Sequence, residues 1–236
     1  MKTMKAPPQS VTNRRRSRQS EAKSSWYTPL LALYFQSRRL LTVVGIGVVL
    51  IIAGMVGFNY IQDTRNTQAQ EFLGAILLEY ERSNYRVALD GSGELLGLTD
   101  IVERYGSTPA GNTARFYAAN AYFELNEYDL ALEHFTNFKA SDDFLGASAT
   151  AGRAAIYELQ EDYQRAGDLF RRAADMDDDN MVRAPYYLRS AARAYVESGE
   201  LDSAKEVILE AKENYPETDL LDEFNYMLGM VLARQS

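Results

Sequence analysis

Twenty-two consecutive residues, Leu40 to Ile61, carry no charge: LLTVVGIGVVLIIAGMVGFNYI. A helix of that length, rising about 1.5 Å per residue, is about 33 Å long, enough to cross a hydrocarbon layer of about 30 Å. Asn59 is its one strongly polar side chain, close to the end, beside a tyrosine suited to a lipid–water boundary. Buried helices of water-soluble domains seldom sustain an uncharged run beyond about 14 residues. A cleaved secretory signal would have a shorter apolar region ending in an A-x-A-like site, and FNYIQDTRNTQAQ offers none. Ser37-Arg38-Arg39-Leu40-Leu41 has the arginine pair of a twin-arginine export signal without its phenylalanine. The stretch predicts an uncleaved transmembrane helix over 40–61.

Charge divides at this block. Residues 1–39 hold nine basic residues and one acid, net +8; residues 62–236 hold 16 basic and 32 acidic residues, net -16. Basic flanks stay cytoplasmic, which predicts that the acidic part is exported, in a bacterium to the periplasm. Residues 1–25 are rich in Lys, Arg, Ser, Gln and Pro and read as a disordered cytoplasmic tail. Residues 26–39 combine Trp26, Tyr27, Tyr34 and Phe35 with Arg38 and Arg39 and read as an interfacial juxtamembrane segment. Arg14-Arg15-Arg16-Ser17-Arg18 suits anionic lipid or topology fixing better than nucleic acid. Ala53-x-x-x-Gly57 permits close helix packing but does not specify a dimer, so the oligomeric state stays open.

The acidic part repeats. AANAYFELNEYDLALEHFTNF (118–138), RAAIYELQEDYQRAGDLFRRA (153–173) and AARAYVESGELDSAKEVILEA (191–211) align. Each places alanine (Ala119, Ala154, Ala192) three residues before tyrosine (Tyr122, Tyr157, Tyr195). A turn follows, then Ala131, Ala166 or Ala204, then Phe135, Phe170 or Ile208. The second alanines fall 35 and 38 residues apart. Small residues let two antiparallel helices approach, and the large ones fill the gap to the next pair, so such pairs stack.

This pattern resembles the tetratricopeptide repeat, whose period is about 34 residues. Pro216 follows the last pair as in the family. Phe138 is bulky where the family has alanine, and the family's tryptophan is missing from all three segments. The expected fold is all-α: the transmembrane helix, then a tetratricopeptide-type α-solenoid of about four helix pairs over 66–236, with a C-terminal capping helix. The pairs are a divergent repeat at 68–108, repeats at 112–143, 147–178 and 185–216, and a cap at 218–234 that carries Leu228-Gly229. In the divergent repeat, Asp90-Gly91-Ser92-Gly93 interrupts a helix expected to resume over Glu94 to Tyr105. The three extra residues before the third repeat fall in the Asp178–Ala184 loop.

Chemistry-bearing motifs are few. The chain has no cysteine and one histidine, His134, which excludes disulfides, thiolate metal sites and a cysteine nucleophile. Asp175-x-Asp177-x-Asp179 has calcium-loop spacing, but Asn180 replaces the glycine and Tyr186 the bidentate glutamate, so it reads as an acidic turn. Gly91-Ser92-Gly93 is too short to cradle phosphate. No nucleophile-elbow, Walker or zinc motif is present. No enzyme activity, cofactor or metal is expected.

In the tetratricopeptide family the first helix of each pair lines a concave groove. The resemblance implies a lining of Phe116, Asn120, Phe123 and Glu124, then Ala151, Ala155 and Leu159, then Arg189, Arg193 and Val196. Phe116 and Phe123 would hold apolar side chains of a partner, and Arg189 with Arg193, four residues apart, a carboxylate. The whole layout resembles the single-pass ancillary subunit family of the SecYEG translocon. That resemblance implies protein partners, namely the translocon and exported clients, an inner-membrane location with a periplasmic repeat domain, and no nucleic acid. Tyr105-Gly106-Ser107-Thr108 and Tyr215-Pro216-Glu217-Thr218 also resemble repeat ends of the periplasmic cell-division coordinator, which implies an envelope-assembly or division scaffold as the alternative.

Overall fold

The computed structural model describes residues 38–236 and falls into two units, residues 1–60 and 61–236. The basic tail and the juxtamembrane aromatics Trp26, Tyr27, Tyr34 and Phe35 lie outside the described residues. Among the described residues the chain is all-α, with ten helices and one two-stranded hairpin.

Helix α1 (Arg38–Glu81) carries the uncharged stretch. Its apolar side chains are open: Val49, Leu50 and Ile51 are 64%, 66% and 60% exposed. That removes the buried-core reading. The helix is long and apolar enough to cross a membrane.

In the second unit α1 changes character. Ala69, Leu73 and Ile76, at helical spacing, are buried. After it come α2 (Tyr85–Asp90), β1 (Gly91–Ser92), β2 (Leu95–Leu96) and α3 (Leu98–Tyr105). The expected helical restart at Glu94 is displaced to Leu98, because β1 and β2 pair antiparallel with Gly91 opposite Leu96. Gly97 then lies so close to α2 that a Cβ there would stand 2.1 Å from the Leu89 carbonyl oxygen. Three helical hairpins follow: α4 (Pro109–Glu124) with α5 (Tyr128–Asn137), α6 (Asp143–Leu159) with α7 (Tyr163–Met176), and α8 (Arg183–Ser198) with α9 (Leu201–Asn214). Helix α10 (Leu221–Gln235) closes the chain by burying Phe224, Met227 and Val231.

One turn design recurs. After α4, Asn126 is left-handed (φ 61°); Glu127 N–H donates to the Tyr122 carbonyl and Asn126 N–H to that of Phe123. After α6, Glu161 (φ 61°) and Asp162 repeat the arrangement onto Glu158 and Tyr157. After α1, Ser83 and Asn84 do so onto Tyr80 and Glu79. These are Schellman closures, which satisfy the last helical carbonyls and reverse the chain within three residues. Only the turn after α8 uses glycine at this place among the four, Gly199 at φ 84°.

Packing follows the alanines. Ala118, Ala119, Ala131, Ala154, Ala166, Ala191, Ala192 and Ala204 are fully buried. Large rings reach from one hairpin to the next. A Cβ on Gly152 would stand 2.5 Å from the Phe135 ring, and one on Gly167 2.8 Å from the Tyr195 ring. Tyr195 buries its ring there while its hydroxyl donates to Asp168 at 2.8 Å. Gly167→Ala should therefore lower stability by about 1–3 kcal/mol through overpacking. Glu161→Gly should raise it by about 1 kcal/mol by relieving a left-handed backbone. Thermal unfolding followed by helical dichroism reads both, and a Gly167→Ala protein as stable as its parent would contradict the close approach.

Candidate functional site

The first helices of the last two hairpins, and the closing helix beyond them, are linked side by side by their own side chains. Arg193 on α8 pairs with Glu158 on α6 at 2.8 Å. Arg189 on α8 pairs with Glu223 on α10 at 3.5 Å and lies over the Tyr186 ring, 5.2 Å from its centroid. The Tyr186 hydroxyl donates to Asp219 at 3.1 Å, and that hydrogen bond holds its pKa above the usual phenol value. At the other end, Tyr80 of α1 meets Tyr117 of α4 edge-on at 5.2 Å and Tyr85 at 5.4 Å. Burial pushes the Tyr80 hydroxyl up to about 12.

The residues expected to line a groove fall into three states. Leu159 is open, 54% exposed, and Glu124 is exposed. Ala151 and Ala155 are half-buried. Phe116 is half-buried and engaged, its ring 5.4 Å from Phe138 and 6.1 Å from Phe135. Phe123 is half-buried with its ring 5.6 Å from Tyr128, and Asn120 donates to the Phe116 carbonyl at 2.8 Å. Val196 differs from expectation: it is only 6% exposed and belongs to the core. Arg189 and Arg193 do not stand free, because each has a carboxylate from a neighbouring helix. An incoming carboxylate would compete with Glu223 or Glu158. Sequence spacing could not place those two acids. Tyr186 and Tyr226, 37% and 68% exposed, add aromatic surface that the reading also left out.

Chemically this surface offers apolar patches between exposed ion pairs. Such pairs contribute about 0–1 kcal/mol each and are screened by salt, so they open at small cost. No protein-family model matches this chain, and no curated protein matches it.

Elsewhere, a cavity of about 610 Å³ lies between α3, α4 and α5, with Glu103, Arg115, Glu133, His134 and Lys139 in its wall. Acids and bases are mixed there, and no single ligand charge is selected. His134 packs its ring 5.2 Å from Tyr122, and its Nδ1 is buried without a hydrogen-bond partner. Asp177 of the acidic turn is held by Arg183, whose Nε and Nη2 donate to it at 2.7 and 2.9 Å.

Burial holds the His134 pKa below its ordinary 6.5. The unfolded chain therefore takes this proton first as pH falls through 6.5, and native stability falls on the acid side. His134→Gln should flatten the fall of melting temperature with decreasing pH across that region. An unchanged slope would remove His134 from the acid response.

Proposed function

We propose that this chain is a membrane-anchored, non-catalytic scaffold of the tetratricopeptide type that binds protein partners on the exported, periplasmic side of a bacterial inner membrane. One observation carries the reading. Three helical hairpins share one register of alanine, tyrosine, turn and alanine, and exposed apolar side chains stand on their first helices and on the closing helix: Leu159 on α6, Tyr186 on α8 and Tyr226 on α10. Such surfaces gain affinity from many modest contacts along a polypeptide. The exposed apolar stretch of α1 supports anchoring, since lipid is the solvent that covers it without cost. The basic flank supports a cytoplasmic N-terminus. Tethering concentrates the scaffold near membrane partners. Within this reading the role is that of an ancillary subunit beside the export channel, receiving newly exported chains.

Photo-crosslinking residues at Phe123 and Leu159, in intact membranes, test it. Crosslinks to translocon subunits and to a spread of unfolded exported chains are expected. A single stoichiometric envelope protein instead would give the alternative, an assembly or division scaffold. No polypeptide crosslink at either position would overturn both. Protease added from the cytoplasmic face should spare the repeat domain, and its digestion there would reverse the topology.

The anchor is tested separately. The chain should resist extraction from membranes by alkaline carbonate. Leu50→Arg with Ile51→Arg should release it, since an arginine near the centre of a spanning helix costs about 2.5–3.5 kcal/mol. Retention of the double variant in the pellet would show that the apolar stretch is not what holds the chain.

A further inference from the structure

A small cavity of about 150 Å³ lies between α5, α6 and α7. Phe135, Phe138 and Met176 give it apolar walls, and Arg153 and Arg172 supply its charge. No carboxylate lines it among the described residues, although residues 62–236 hold twice as many acids as bases. The two arginines are exceptional in this unit. Every other arginine in it has a carboxylate or a backbone carbonyl: Arg171 has Glu206 and Glu210, Arg183 has Asp177, Arg115 has the Asn137 carbonyl. Arg153 and Arg172 have neither; Arg172 is exposed to water, whereas the half-buried Arg153 has its Nε buried without a hydrogen-bond partner. A buried guanidinium donor left unpaired is costly, and an acid-rich domain has many residues with which evolution could have paired it.

We propose that this cavity binds a carboxylate carried on a short apolar stem, as at the free C-terminus of a polypeptide or in a small organic acid. A guanidinium fork matches a carboxylate in two parallel hydrogen bonds. The aromatic and thioether walls receive the stem. An engineered cavity of about 150 Å³ takes a benzene-sized group, which sets the scale of the stem. A doubly charged phosphate would be stripped of water against those rings with too few donors to compensate. The site lies on a different face of α6 from Ala155 and Leu159, so it stands whether or not the groove binds protein.

Calorimetric titration of the full chain in lipid nanodiscs tests it. The probes are N-acetyl-leucine, an acetylated peptide ending in alanyl-leucine as free acid and as amide, and inorganic phosphate. The free acids should bind saturably and the amide about tenfold or more weaker, the loss of a charged hydrogen-bond pair. Arg153→Gln with Arg172→Gln should weaken the acids by a similar factor with helical dichroism unchanged. If that variant does not fold, the acid–amide comparison on the native chain decides. A peptide binding far more tightly than N-acetyl-leucine assigns the site to polypeptide ends, and equal affinity assigns it to small acids. Amide binding equal to acid, no saturable binding by either acid, undiminished binding by the folded double variant, or phosphate binding more tightly than both acids would each overturn the proposal.

Discussion

The acidic unit depends on how closely its helices can approach. A helix with one apolar stripe must cover that stripe against a neighbour, and a hairpin of two such helices still leaves apolar surface at its flank. Here alanine closes each hairpin, and an aromatic ring inserted over a glycine closes the joint to the next. Phe135 over Gly152 and Tyr195 over Gly167 are the two joints where the backbone itself forms the floor. Tyrosine can serve at such a joint because its ring is apolar and its hydroxyl finds Asp168. Buried residues accordingly form two clusters that meet in α6, where Ala154 belongs to one and Ile156 to the other.

The same stacking decides what the surface can be. Helices held edge to edge place charges from different hairpins within ion-pair reach, so Arg193 finds Glu158 and Arg189 finds Glu223. Where these pairs form, each charge is offset by its neighbour. Among the apolar side chains on the same helices, Leu159 and Tyr226 stay open, 54% and 68% exposed. The acidic excess sits elsewhere, in turns such as Asp175–Asp179 and along α9.

Much of the fold was legible because the repeated residues are the ones that pack. Ala119, Ala154 and Ala192 are spaced by the hairpin length, and the structure buries all three. The extra residues near Asp178 were legible as a loop, and the structure ties that loop down through Arg183 on Asp177 and through the Tyr215 hydroxyl on the Asp178 carbonyl. The β hairpin was not legible. Two residues per strand show no alternation, and its existence depends on Gly97 reaching Leu89. The site was less legible than the fold. Exposure of Val196 or freedom of Arg189 is decided by neighbours 30 or so residues away, which a helical spacing rule does not see. Arg153 shows the converse: it looks like a surface charge in its own helix, and only packing buries its Nε, in a cavity that the exposed Arg172 also lines and no acid does.

The chain also sorts its solvents by charge. An apolar surface as extensive as that from Val43 to Ile61 would drive association in water. Lipid would remove that problem, since a hydrocarbon layer covers such a stretch without exposing it to water. The two flanks of the stretch differ in what they would do at its borders: anionic headgroups attract a segment of net +8 and repel one of net -16. Charge and apolarity thus divide the chain at the same residues, and one boundary in the sequence sets both.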